Sequence, residues 1–323
     1  WPERLTARRL LFNAYLPALL RTLRYDLVVG FDIDGFLWSG RPPAARGGTP
    51  YVVSIKGVLA EEARQERGEA RRLLWSLSHL ERHNARGADA VLATSAYCRD
   101  AIVRHYGVPP QRVRLVPEGI DLERWRRIGH QEPHETDGAT ILCVARQYPR
   151  KHVADLLRAM PLVRRAVPQA QALIVGDGPE HDNLLRLHAR LGLGEAARLL
   201  GAIPDDDALA RLYRHADVFC LPSVQEGFGI VFLEAMASGL PIVGTTAAAI
   251  PEVVPHGRAG TLVPPGDVAA LAGALVELLQ RPELRASYAA YGQEHVERYD
   301  WGRVAESFLE AVAPLLGQAR LAA

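Results

Sequence analysis

The stretch SVQEGFGIVFLEAMASGLPIV, residues 223–243, decides how this chain is read. The apolar run DVFCLPS before it has the length of a buried strand and ends at Pro222. A loop with Glu226, Gly227, Phe228 and Gly229 follows. A helix then starts near Gly229 and closes at Gly239, where a left-handed residue often stops a helix. Glycines ahead of a helix let backbone N–H groups approach an anion, and the helix N-terminus adds partial positive charge. Glu226 lies on the loop and Glu234 a turn into the helix. Carboxylates beside an anion site make sense if they hydrogen-bond neutral hydroxyls, as on a sugar or a ribose. One solvated and one capping glutamate would give the same letters, and a glycine-rich loop alone is a weak signal.

Strand and helix patterns alternate on both sides of this stretch. Downstream of residue 138 the strands read as ATILCVAR, AQALIVGDGP, DVFCLPS and LPIVGTT, separated by helical segments such as KHVADLLRAMPLVRRAV, and GTLVPPGD precedes a helix over 268–280. Upstream they read as YDLVVGFDIDGF, TPYVVSIKG, ADAVLATS and RVRLVPEGID. The helical patterns there cover 4–24, about 60–86 and AYCRDAIVRHYG, which Gly107 closes. A polar, aperiodic segment ending at 138 reads as a linker, placed at 129–138. The expected fold class is α/β: two Rossmann-like, doubly wound parallel sheets facing a cleft. The domains are 1–128 and 139–295, with a last helical segment at 296–323 in which Trp301 is a packing anchor. Ligands of such sheets sit at the carboxyl ends of the strands, so the cleft is the expected site.

A length of 323 residues suits two domains, and 48% hydrophobic with 23% charged residues describes a globular protein. The net charge of +1 gives no sign of nucleic-acid binding. Residues 1–128 carry 21 basic and 14 acidic side chains, whereas the remainder carries 17 and 23. That basic front half suits either an anionic surface or ordinary solvation. Of the 38 basic residues only Lys56 and Lys151 are lysines. Lysine is a compact point charge and arginine a planar fork, so both positions are candidates for a site that needs a small cation. Cys98, Cys143 and Cys220 are scattered and read as buried, inert thiols, which suits a reducing cytoplasm. No run of 18 apolar residues and no signal peptide is visible. Segment 4–24 sets Arg4, Arg8, Arg9, Arg21 and Arg24 round an apolar stripe. Such a helix either packs its stripe on a core or lies on the inner face of a membrane as a peripheral contact.

An ordered set of blocks resembles the retaining GT-B glycosyltransferases of family 4, the glycosyl transferases group 1. EGFGIVFLE matches that family's two glutamates with seven residues between, and SGLPIV, IPEVV and GTLVPPGD match its following blocks in order. VARQYPRKHV, VGDGPE and ADVFCLPS also fit, over about residues 50–310. The resemblance implies the GT-B fold, with an acceptor-binding domain at 1–128, a nucleotide-sugar-binding domain at 139–295, and a C-terminal helix crossing back to the first. It implies a metal-independent hexosyltransferase taking a UDP- or GDP-sugar as co-substrate. The acceptor is a glycan, a lipid-linked sugar or a small molecule, and no other cofactor is expected. By resemblance Arg146 and Lys151 hold the diphosphate and neutralise the leaving group, and Glu234 holds the ribose hydroxyls. Glu226 contacts the transferred sugar beside the N–H groups of Gly227, Phe228 and Gly229. Gly176 and Gly178 let the backbone approach the nucleotide, and Ile203 falls where the family's backbone meets the base.

Four departures stand out. Where many relatives have His-Gly or His-Asp after the second strand read here, this chain has Lys56-Gly57. Lys56 either holds a sugar hydroxyl, the β-phosphate or an anionic acceptor, or merely ends a strand; a charged lysine only donates hydrogen bonds. His152 stands where a glycine usually follows the phosphate lysine, and Ala248-Ala249 replace a glycine pair. Family members begin with a strand and a glycine-rich loop, whereas the first element read here is a helix, so a front segment is expected to be missing. Among weaker features, His79 and His83 lie one helical turn apart without an evident third metal ligand. Asp32 and Asp34 suit either an acceptor contact or a turn. The competing classes are a nucleotide-sugar-binding subunit without turnover and a dinucleotide-dependent oxidoreductase, and the latter lacks a G-x-G-x-x-G after any strand.

Overall fold

The computed structural model describes residues 2–131 and 139–322. The chain forms two compact units, Trp1–Pro117 with Val304–Ala323, and Glu118–Arg303. The expected linker lies partly outside the described residues, at 132–138, while a helix Leu122–Gln131 covers its first positions.

The first unit holds four parallel strands in the order β1 (Val28–Phe31), β2 (Tyr51–Ile55), β3 (Ala90–Ala93) and β4 (Val113–Leu115). β2 and β3 are buried throughout, which is why YVVSI and AVLA read as continuous rather than alternating apolar runs. Their side chains still divide between two faces. Tyr51, Val53 and Ile55 pack with Trp38, Ile102 and Tyr106 on one face. Val52, Ala90 and Leu92 meet Val304 and Val312 on the other. The segment expected as one helix over 60–86 is two, Leu59–Gln65 and Gly68–Gly87. Glu66 is extended and Gly68 has φ 56°, a left-handed backbone that ends one helix and re-aims the next.

The N-terminal helix Pro2–Leu20 is anchored by polar contacts, and its expected apolar stripe faces outward. Arg9 grips both oxygens of Asp34 at 3.2 and 2.9 Å, and Asn13 bridges Asp34 and the Gly35 N–H at 3.0 and 2.6 Å. Leu11, Tyr15 and Leu19, spaced four residues apart, are exposed together with Phe12.

Glu81, on helix Gly68–Gly87, is fully buried. Its Oε2 accepts the Leu59 N–H at 3.0 Å and the Tyr106 hydroxyl, while Oε1 has no partner among the described residues. Burial pushes its carboxyl well above the usual range, and the nearby Asp32 charge adds to the shift.

The second unit holds six parallel strands in the order β10-β9-β8-β5-β6-β7. They are β5 (Thr140–Val144), β6 (Gln171–Val175), β7 (Ala197–Gly201), β8 (Val218–Cys220), β9 (Ile242–Thr245) and β10 (Gly260–Val263). The chain winds from β5 out to β7, returns to β8 beside β5, then winds the other way to β10. Loops leaving β5 and β8 therefore diverge, and a crevice opens at their carboxyl ends. Cys98, Cys143 and Cys220 are buried free thiols, and burial raises the Cys143 thiol to about 12. Trp301 departs from its expected role as an anchor. It is 56% exposed, since only one side of its ring lies over Gly119.

Among the described residues, three that are not glycine take a left-handed backbone: Asp32 (φ 53°), His152 (φ 49°) and Ala248 (φ 52°). The resemblance set glycine at the latter two. His152 gains a partial offset, because its Nδ1 lies 2.9 Å from Asp155 Oδ2. Burial opposes ionisation of Asp155, yet His152 and Arg158 hold its carboxyl below the ordinary value. Ala248 has no side-chain hydrogen bond to offset its strain.

Two outcomes follow from these buried and strained positions. Ala248→Gly relieves about 1–2 kcal/mol of left-handed strain but frees the unfolded chain, so it should stabilise by about 0.5–1 kcal/mol in urea unfolding. A destabilised variant would overturn this account of the turn. For Glu81, a raised folded pKa contributes stability below the usual carboxylate range that is lost as pH rises through the folded value. The stability of Glu81→Gln minus that of the wild type should therefore grow as pH rises above the ordinary carboxylate range, and a flat difference would contradict a raised carboxyl at Glu81.

Candidate active site

The loops leaving β5 and β8 carry most of the residues singled out from the sequence. After Val144 the chain passes Arg146 and Gln147, makes a short turn over Pro149–Lys151, and enters helix Val153–Ala166 through His152. Gln147 is fully buried and ties this loop to the one after β6. Its N–H donates to Asp177 O at 2.9 Å, its Nε2 donates to Gly176 O at 2.8 Å, and its Oε1 lies 2.8 Å from His181 Nδ1. A Cβ at Gly176 would sit 1.9 Å from the Ala145 carbonyl oxygen, and one at Gly178 would sit 2.8 Å from that of Gln147. These glycines therefore let two loops of the protein approach each other, apart from any ligand. Arg146 stays exposed, with its guanidinium 5.8 Å from the Tyr148 ring centre.

Lys151 and Glu226 meet across the switch point. Lys151 Nζ donates to Glu226 Oε1 at 2.6 Å, with the side chains only 15% and 7% exposed. The Ser223 hydroxyl, itself fully buried, donates to the same oxygen at 2.7 Å. Thr245, at the end of β9, donates to the Ser223 carbonyl at 2.5 Å, and the Ala249 N–H reaches the Glu226 carbonyl at 3.3 Å. A cation and a carboxylate at this distance and burial attract strongly, and removing one would strand the other. Gly229 opens helix Ile230–Ala237 with φ 96°, and a Cβ there would strike the Phe232 ring at 2.6 Å. Gly227 precedes Phe228, whose buried ring meets Tyr299 edge-on at 5.5 Å.

Glu234 is held by the Tyr213 hydroxyl, which donates to Oε2 at 2.6 Å. Burial raises the Glu234 carboxyl above its ordinary value, and the Tyr213 bond works against that rise. Tyr213 is fixed in turn between Trp125, edge-on at 5.2 Å, and Phe219, stacked at 5.6 Å. Ile203 lies two residues beyond β7 and packs on the edge of the core.

Lys56 belongs to the first unit, exposed at the end of β2. Its N–H donates to Asp32 Oδ1 at 3.1 Å and its Nζ lies 5.6 Å from the Phe31 ring centre. Burial raises the Asp32 carboxyl above its ordinary value. Of the two aspartates, Asp34 is committed to Arg9 and Asn13, while Asp32 holds the backbone at Lys56. His79 packs edge-on against Trp75, and among the described residues no three His, Cys, Asp or Glu side chains gather to hold a metal.

Sequence reasoning missed Ser223, Thr245, Tyr213 and Gln147. Only Tyr213 left a usable signal. Its helix, Asp206–Arg214, turns it toward the core, and a buried phenol needs a hydrogen-bond partner.

The family described as Glycosyl transferases group 1 matches residues 138–281, and that described as Glycosyltransferase Family 4 matches residues 1–124. A phosphatidyl-myo-inositol mannosyltransferase of Mycobacterium leprae is 42% identical over 196 residues, which are 60% of this chain and 51% of the relative. A GDP-mannose-dependent alpha-(1-6)-phosphatidylinositol monomannoside mannosyltransferase of Mycolicibacterium smegmatis is 33% identical over 228 residues, 66% of this chain and 59% of the relative. The chain thus spans little more than half the length of these curated relatives. The solved sucrose-phosphate synthase of Thermosynechococcus elongatus superposes with a TM-score of 0.77 at 26% identity, covering 98% of this chain and 80% of that one. Two parallel-sheet units of this kind make a GT-B fold, and with two successive family matches along its length the chain belongs to the family 4, group 1 glycosyltransferases.

Proposed function

We propose that the protein transfers a sugar, with retention of configuration, from a nucleotide-diphosphate sugar to an acceptor hydroxyl. The observation that carries this reading is the Lys151–Glu226 pair at the β5/β8 switch point. One member is suited to a diphosphate and the other to sugar hydroxyls. As the bond from the anomeric carbon to the β-phosphate oxygen breaks, negative charge grows on the phosphate. Arg146 and Lys151 then stabilise that charge, so the transfer needs no divalent ion. Without donor, Lys151 is compensated by Glu226. A bound diphosphate competes for the lysine and releases Glu226 toward the sugar, while Ser223 keeps the carboxylate oriented. Glu234, steadied by Tyr213, offers its carboxylate to the ribose hydroxyls, and the turn from Gly227 to Gly229 offers N–H groups. Lys56 serves the sugar, the β-phosphate or an anionic acceptor from the first unit. The names of the mannosyltransferase relatives make a GDP-sugar the first donor to try and a lipid-linked polyol the first acceptor.

Titration calorimetry with GDP and UDP tests the roles. Arg146→Ala should weaken diphosphate binding by about 1.5–3 kcal/mol while sparing the nucleoside. Lys151→Ala should lose more, because it also leaves Glu226 facing the phosphates. Glu226→Gln should bind the diphosphate at least as tightly as the wild type, since Lys151 is freed, yet transfer sugar slowly. Glu234→Gln should weaken the nucleoside itself. Equal losses for nucleoside and diphosphate in Arg146→Ala would sink the phosphate role. Turnover should also survive EDTA, and its loss would show that a divalent ion is needed.

The exposed stripe of Leu11, Tyr15 and Leu19 supports peripheral membrane contact as a second element of this reading. Arg8, Arg21 and Arg24 are exposed nearby in the chain, which suits an anionic lipid surface. No helix among the described residues is long and apolar enough to span a membrane. Sedimentation with anionic vesicles should show binding that weakens with salt and with Leu11→Glu. Binding indifferent to both would remove the membrane from the proposal.

A further inference from the structure

We propose that Glu81 is a positioning residue for the Lys56–Gly57 turn, acting from another helix as the cap of helix Leu59–Gln65. That helix follows β2 after only Lys56, Gly57 and Val58. Its N-cap is Val58, whose side chain has no acceptor, so the first N–H groups must find partners elsewhere. The Val58 carbonyl takes the N–H groups of Glu61 and Glu62 at 2.9 and 3.0 Å. The Leu59 N–H goes to Glu81 Oε2 at 3.0 Å and the Ala60 N–H to the Tyr106 hydroxyl at 3.4 Å. The Tyr106 hydroxyl donates in turn to the same Glu81 oxygen. A buried pair, one group from helix Gly68–Gly87 and one from helix Ala96–Tyr106, thus supplies the cap that the local sequence lacks.

The turn is therefore bracketed. At one end the Lys56 N–H is held by Asp32 Oδ1 at 3.1 Å, and at the other Leu59 is held by Glu81. An exposed lysine on a three-residue turn would sample many directions. Fixing both backbone ends limits where its ammonium can go, and placement at that scale governs transfer rates. The cap needs an oxygen that accepts from both the Leu59 N–H and the Tyr106 hydroxyl, which a glutamine amide oxygen reproduces and leucine does not.

This inference rests on the donor-facing role proposed above for Lys56. Its test compares Lys56→Ala, Glu81→Leu, Glu81→Gln, Tyr106→Phe and the double variant Lys56→Ala/Glu81→Leu. Sugar transfer, nucleoside diphosphate affinity and amide hydrogen exchange at Leu59 and Ala60 are measured for each. Glu81→Leu should transfer sugar at least about tenfold more slowly with nucleotide affinity within about twofold, and Glu81→Gln should recover most of the rate. Adding Glu81→Leu to Lys56→Ala should cost nothing more, because one residue acts through the other. Tyr106→Phe should speed exchange at Ala60 and slow transfer in the same sense, and it decides the matter if Glu81→Leu does not fold. Wild-type transfer in Glu81→Leu, or losses that multiply in the double variant, would overturn the proposal. If Lys56→Ala itself transfers normally, the reading of Lys56 has failed. The cap then stands or falls on whether Glu81→Leu deprotects the Leu59 amide.

Discussion

The reversal of winding between β5 and β8 is the constraint on which the site depends. Parallel strands need long crossovers, and only where the crossover direction changes do two successive loops diverge rather than overlap. In this chain the two loops bring Lys151 and Glu226 to 2.6 Å, with Ser223 and Thr245 behind them. Lys151 comes from the loop after β5, Ser223 and Glu226 from the loop after β8, and Thr245 from the end of β9. The pair is a consequence of strand order, and any shift in the pairing of β5 with β8 would separate the charges in a largely buried place. There a separated charge is costly, so the ion pair and the central strand pairing support each other.

Glycine is used in two ways around this point. Gly176 and Gly178 exist where loop backbones nearly touch, and Gly229 where a helix must begin against its own Phe232 ring. At His152 and Ala248 the chain keeps the left-handed backbone but writes a side chain into it. For His152 there is a local return, the bond to Asp155 at the start of helix Val153–Ala166. Strain of this size is tolerated only where surrounding bonds over-determine the backbone. The His152 turn is so fixed: the Lys151 and His152 N–H groups and the His152 carbonyl are all in hydrogen bonds.

The sheets were legible because their strands are short apolar runs between helical periods, and Glu226, Glu234 and Lys151 because they recur in an ordered set of blocks. The break between helices Leu59–Gln65 and Gly68–Gly87 was not. The charged face runs on through Glu66 and Arg67, and a single left-handed glycine carries the change of direction. The outward stripe of the first helix was ambiguous for another reason. Periodicity tells which residues share a face, but whether that face meets a core depends on Asp34, Asn13 and Arg9, whose contacts join positions more than twenty residues apart. Ser223 and Tyr213 stayed hidden because a serine after a strand and a tyrosine in a helix are common. What distinguishes them is a hydrogen bond to a carboxylate, Glu226 three residues on in the same loop for Ser223 and the distant Glu234 for Tyr213.

The scarcity of lysine acquires a physical reading at one of its two positions. The Lys151 ammonium holds Glu226 Oε1 and shares that oxygen with Ser223. An arginine at the same place would present a planar fork, and its favoured partner geometry takes both oxygens of a carboxylate at once. It would lock Glu226 to itself and leave no oxygen for a sugar hydroxyl. A point cation with three rotatable donors holds one oxygen and, in the proposed function, keeps donors available for phosphate. Under the proposed function, the requirement at this position is a charge that can be shared between a fixed carboxylate and a diphosphate. In a chain whose basic residues are otherwise almost all arginine, that proposed role gives a lysine at 151 a physical reason.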